Sequence, residues 1–227
     1  MSRVPGRENP EVPIPSAEIR EMPRVAFQIL DNCADAAVRL VEAGGEHRIA
    51  CRKGCNNCCA DYIRVTHVEA LAIAEWLLNP AQEALLARFR VQLAQWREAT
   101  GPEVWLLEEF MSRFGGMPAC EPEFTMCAQA AQAYQMRGLM CPFNGPDGSC
   151  EIYPVRPSPC RVTHVVDTHI YCRPGQGGLP NVVRHEKLTE ITKAVRGLFR
   201  EVSAGAGFPG EFALPNAVER AIATLKR

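Results

Sequence analysis

The chain has 227 residues, 47% hydrophobic and 22% charged, with a formal net charge of −1. This is a globular composition, long enough to bury a core in one large domain or two small ones. The near-neutral balance makes nucleic acid or an anionic membrane surface unexpected as a partner. No apolar run approaches the roughly 18 residues of a membrane span, and no N-terminal stretch resembles a secretory signal, so no membrane and a cytoplasmic location are expected.

Residues 1–15 carry Pro5, Pro10, Pro13 and Pro15 with few large apolar groups, the composition of a disordered tail. The remainder, 16–227, is expected to form a single domain. Over 16–43, Phe27, Leu30, Ala34, Val38 and Val41 recur at helical spacing, and Gly44-Gly45 ends the run. Cys33 lies beside that stripe and reads as a packing thiol. Residues 48–59 read as loop and 62–65 as a short extended segment. Thr66-His67-Val68-Glu69 matches a capping box, opening a helix to about residue 78 that is apolar nearly all round and so should be buried. His67, at its first turn, is expected to face solvent.

Asn79-Pro80 marks another helix start, followed by Leu85 or Leu86, Phe89, Leu93 and Trp96 on one face. Thr100-Gly101-Pro102 separates this helix from the next, with Val104, Leu107, Met111 and Phe114 in step. Gly115-Gly116-Met117-Pro118 breaks the chain again. A helix over 122–137 then places Phe124, Cys127, Ala131 and Tyr134 on one side, which makes Cys127 structural; Cys120 falls in a loop as a minor extra ligand candidate. The helical insertion thus spans 66–138. Beyond it, Asn144-Gly145-Pro146-Asp147-Gly148 is a turn signal between two short apolar stretches, which predicts a small β-hairpin. Pro154, Pro157 and Pro159 argue against regular structure before Cys160. Residues 162–171 are the best strand candidate, and two helices, over 184–202 and 216–226, close the chain. The fold class expected is mainly α: a helical domain with a small irregular cysteine-rich part and a short β-hairpin.

Eleven cysteines in a reducing compartment point to metal binding or redox chemistry rather than disulfides. Cys51, Cys55, Cys58 and Cys59 fall within nine residues, and Cys141, Cys150, Cys160 and Cys172 form a second group downstream. Thiolates are soft ligands, and zinc sites and iron–sulfur clusters each typically take four, brought by short loops from two places. Here those places are 51–59 and 141–172. The eight thiols could fill one cluster and a second site, or two zinc sites. Side chains of adjacent residues tend to diverge, so Cys58 and Cys59 are easiest to explain if they serve different ions, or if only one ligates. His164 and His169 flank the strand candidate as substitute ligands. Arg52, Lys53, Arg156 and Arg161 are cations able to offset thiolate charge.

The series Cys51-x3-Cys55-x2-Cys58-Cys59, then Cys141-Pro142-Phe143, then Cys150-Glu151-Ile152-Tyr153-Pro154-Val155-Arg156-Pro157-Ser158-Pro159-Cys160-Arg161 resembles the YkgJ-type cysteine-cluster family. Its members are described as zinc- or iron-chelating, and the resemblance covers about residues 51–172. It implies that Cys51, Cys55, Cys58, Cys59, Cys141, Cys150 and Cys160 are ligands, with Tyr153, Arg156, Pro157 and Arg161 at the characteristic non-cysteine positions. Tyr153, Arg156 and Arg161 are accordingly candidates to lie against the bound group. Cys172 is less clearly part of the pattern, and the intervening insertion is long. A related cysteine domain occurs in iron–sulfur-dependent flagellin lysine methylases, which makes methyl transfer conceivable. The first three cysteines also share the spacing of radical S-adenosylmethionine enzymes, but Asn57 stands where those usually carry an aromatic, and repeated strand–helix units are missing. The expectation is therefore an iron–sulfur cluster with a redox or cluster-dependent enzymatic role; the alternative is zinc in a structural or chelating module. The protein or small-molecule partner is not legible, nor is any catalytic residue.

Overall fold

The computed structural model describes residues 16–52, 54–114, 121–173, 180–183 and 185–226. The expectations for 1–15, Lys53, 115–118 and Cys120 lie outside these residues, as does the side chain of Phe114. Among the described residues the fold is mainly helical: α1 (Ala17–Gly44), α2 (His67–Leu77), α3 (Glu83–Ala99), α4 (Pro102–Phe114), α5 (Glu123–Met136), α6 (Ser158–Val162), α7 (Glu186–Gly205) and α8 (Leu214–Leu225). A two-stranded antiparallel pair, β1 (Arg64–Val65) with β2 (Phe212–Ala213), ties the entrance of α2 to that of α8. None of the helices is long and apolar enough to cross a membrane.

Helix α2 is the centre of the packing. Thr66 Oγ1 accepts from the Glu69 N–H, and Glu69 Oε2 accepts from the Thr66 N–H at 3.0 Å, which closes the capping box. Leu71, Ile73 and Leu77 are fully buried with Phe89 and Leu93 of α3 and Val218 and Ala221 of α8. Helices α1 and α7 cover another side, where Phe27 meets Phe199 edge to face at 6.1 Å. The core continues into the cysteine-rich part through Phe143, whose ring stacks on Phe89 at 4.5 Å. Burying an aromatic of that size contributes about 2–3 kcal/mol, so the turn following Cys141 is fastened to the frame.

The turn over 144–148 forms as its residues dictate. Gly145 N–H donates to Ser149 at 2.7 Å, Glu151 N–H to Phe143 at 2.9 Å, and Asn144 bridges Cys150. Gly148 takes φ +80°, a conformation that costs little only without a Cβ.

Several local expectations are corrected. The stretch 162–171 is not a strand: Val165 bridges Val182, Val166 bridges Ile49, and Asp167 at φ +64° turns the chain at once. The Asp167 carboxylate holds that turn by accepting from the Arg48 N–H at 3.2 Å while meeting His47 Nδ1 at 2.7 Å. The prolines before Cys160 do not exclude helix. Pro154 and Pro159 each sit in a first turn, where no N–H is needed, so Cys160 is carried on α6. His67 is 2% exposed rather than solvated, because α2 is buried all round and the imidazole stacks on Phe208 at 3.6 Å. On α5 Phe124 faces solvent, and Ala130 is buried more deeply than Ala131 beside Cys127 and Tyr134.

Candidate metal centre

Four stretches carry the eight expected thiols. In the first, Cys55 N–H donates to Arg52 at 2.9 Å, and Asn57–Ala60 is a 3-10 turn in which Cys59 N–H donates to Asn56 at 2.9 Å. The fully buried Ala60 anchors that turn. In the second, the Cys141 N–H donates to the Cys59 carbonyl at 2.8 Å, joining the two cysteine groups backbone to backbone. Cys160 on α6 is fixed through its neighbour Ser158, whose N–H and hydroxyl donate to Glu69 Oε1 at 2.9 and 2.6 Å. Cys172 ends a 3-10 turn, Ile170–Cys172, and is buried.

Cys51 Sγ accepts from the Val165 N–H at 3.2 Å, and the N–H groups of Phe143 and Ile152, each two residues on, favour the charged forms of Cys141 and Cys150. Burial pushes the Cys141 pKa up to about 12, opposed by the Phe143 N–H and reinforced by Cys150 and Cys58. Burial also raises Cys51, Cys150, Cys160 and Cys172, the last to about 11, with nearby thiols adding to the shift in each. The adjacent thiols of Cys58 and Cys59 shift each other in opposite directions, Cys58 down and Cys59 up. Charging these thiols therefore requires a partner cation, and metal binding would release protons. All ten described cysteines are free of disulfides. Among the described residues, no three His, Cys, Asp or Glu side chains are gathered as closely as a single ion would draw them. The donor set, all thiols with backbone N–H support, nevertheless fits a soft metal or an iron–sulfur cluster.

The expected cations divide by role. Arg156 lies over the Tyr153 ring at 4.2 Å, and its charge pulls down the pKa of Cys58, Cys150 and Cys160. Tyr153 itself is 58% exposed and supports the guanidinium. Arg161 is spent elsewhere: it donates to the carbonyls of Arg156 at 2.6 Å and Pro154 at 2.8 Å, pairs with Asp31, and covers the Phe27 ring. It staples the cysteine part to α1, with Cys160 among its neighbours. Arg52 is exposed. His164 has Arg156, Asp35 and Asp31 as its charged neighbours rather than thiols, and His169 contributes its carbonyl to the Cys172 N–H at 3.0 Å. A cavity of about 470 Å³ opens on the far side of Arg161, between α1, α2 and Pro154-Val155.

No family model, curated protein or solved structure matches the chain. The functional argument therefore rests on the thiols and their surroundings.

Two residues the sequence reading did not connect with the cysteines position the elements that carry them. Glu69 serves both the capping box and Ser158, and Asp31 receives Arg161 and lies 3.7 Å from Arg156. Glu69 had a signal, since a capping-box carboxylate has a second oxygen left to accept with. Asp31 had none beyond being a polar residue next to an apolar stripe.

Proposed function

We propose that the protein is a thiolate metalloprotein holding an iron–sulfur cluster, with a redox or cluster-dependent enzymatic role. The observation that supports this most is the joining of the two cysteine groups through the backbone: the Cys141 N–H donates to the Cys59 carbonyl at 2.8 Å, and the Val165 N–H donates to Cys51 Sγ at 3.2 Å. The likeness to the YkgJ-type cysteine-cluster family points the same way, and a reducing compartment such as the cytoplasm suits free thiols. A cluster would supply electron transfer or a Lewis-acidic iron; the chain's residues provide thiolates, the backbone N–H groups that stabilise them, and the Arg156 charge. A protein or small-molecule partner would complete such a role.

A second reading, zinc in a structural module, is favoured by the tight 141–152 turn, where the Asn144–Cys150 bridge and the Glu151 N–H on the Phe143 carbonyl at 2.9 Å form the kind of knuckle that presents thiols to a metal. Protein purified without oxygen separates the two. Iron with acid-labile sulfide and broad visible absorption is the expected result. A colourless protein with stoichiometric zinc, unfolding on chelation, would replace the first reading with the second. Neither metal would end both.

A further inference from the structure

We infer that the outer face of α1 is a contact surface for a second copy of this chain, packed antiparallel across a two-fold axis at the level of residues 30–31.

Helix α1 has 28 residues, and Phe27, Leu30, Ala34 and Ala37 bury its inner face. At about 100° per residue, Val25, Ile29, Ala36 and Leu40 fall together on another side, facing outward. Val25 is 51%, Ile29 45% and Leu40 59% exposed, and Ala36 is half-buried. Single exposed aliphatic residues are ordinary, but a row aligned over about four turns is a patch. One flank of the row runs into the fold through Met22, which packs with Phe199 of α7. The other flank is polar and carries Glu21, Gln28, Asn32 and Arg39.

The order of charges along that flank selects the occupant. Glu21 and Arg39 lie about five full turns apart and so point the same way, at equal distances from Leu30. A two-fold axis perpendicular to the helix sets the polar flank against the same flank of the second copy, reversed in direction. Glu21 of one copy then meets Arg39 of the other, Gln28 meets Asn32, and further out Arg24 meets Asp35. Along the apolar row Met22 faces Leu40 and Val25 faces Ala36. A parallel pair would instead set Glu21 on Glu21 and Arg39 on Arg39. The antiparallel face is complementary to itself, as an isologous contact requires. Its charges are also available: Arg39 is exposed and makes no hydrogen bond or ion pair among the described residues. Glu21 pairs with Arg24 at the surface, a contact of little worth that can be exchanged.

Sedimentation velocity on the full-length protein, kept reduced and without oxygen so that no disulfide links copies, reads the assembly directly. A concentration-dependent dimer is expected, with Kd on the order of micromolar for a contact of one helix per copy. Ile29→Glu should leave a monomer, and Val25→Glu serves in its place should that variant unfold by far-UV circular dichroism. Arg39→Glu puts a carboxylate opposite Glu21 and should weaken the dimer about tenfold. Adding Glu21→Lys should restore it to within about threefold of wild type. A wild type that stays monomeric at several hundred micromolar overturns the inference. So does a dimer that survives Ile29→Glu and is broken by Trp105→Glu, since self-association then belongs to the exposed Trp105 on α4. If Arg39→Glu has no effect, or Glu21→Lys fails to rescue it, the antiparallel register is wrong.

Discussion

The frame around α2 and the cysteine-rich part are held together by different physics. In the frame, Leu71, Ile73, Leu77, Phe89 and Val218 are sealed from water, and regular helices satisfy the backbone. In the cysteine-rich part the chain runs through 3-10 turns, single bridges and one five-residue helix. Among its attachments to the frame are Phe143 on Phe89, Ser158 on Glu69, Arg161 on Asp31 and Phe27, and Glu151 on Arg88. Apolar burial needs no particular partner, whereas each of these attachments is a specific contact. The frame should thus tolerate conservative change, and the cysteine-rich part should depend on individual residues and on bound metal.

The largest test of that contrast is Glu69. Its carboxylate is fully buried and accepts from the N–H and hydroxyl of both Thr66 and Ser158. Glu69→Ala leaves those donors without a partner and should cost about 3–5 kcal/mol by denaturant unfolding. Glu69→Gln keeps an accepting oxygen and should recover part of the loss. A Glu69→Ala protein within about 1 kcal/mol of wild type would mean the link between frame and cysteine part is not structural.

A smaller effect tests burial in the frame by pH. Burial, with a lesser contribution from Arg220, lowers the His67 pKa from 6.5 to about 4. Between those values the unfolded chain binds the proton and the folded chain does not. Stability is therefore whole above pH 6.5 and falls as pH drops toward 4, by about 2–3 kcal/mol in all. His67→Phe should flatten that part of the stability–pH curve. An unchanged slope would place the imidazole in contact with water.

Most of the frame was legible because period and punctuation agree there. Ser16 and Gly45 bound α1, Thr66 and Glu69 open α2, and Leu85, Phe89, Leu93 and Trp96 are buried as their spacing implies. The failures share a cause. His67 and the 162–171 stretch were judged from local character, but their placement depends on distant residues: Phe208 for the imidazole, Ile49 and Val182 for the two valines. Pairing with residues elsewhere in the chain leaves no local period to read. The cysteine groups were recognisable from clustering alone, while the backbone link between them, the Cys141 N–H on the Cys59 carbonyl, is not encoded in spacing.

The smallest predicted effect puts one residue type in both regions. Cys127 on α5 is fully buried against Leu107, Met111 and Ala130, and no other cysteine among the described residues shares that cluster. There the sulfur acts as a small apolar group, so Cys127→Ser buries a hydroxyl among hydrocarbon and should cost about 1–2 kcal/mol. Metal content should be unchanged. Cys55→Ser inverts that pattern: its loop contributes little to the core, so the metal-free protein should keep its stability to within about 0.5 kcal/mol while metal content drops. Thermal unfolding of the metal-free forms, set beside elemental analysis of the native ones, checks both halves. If both variants lose metal, or both lose only packing, then the frame and the cysteine-rich part do not use their thiols differently, and the contrast between them fails.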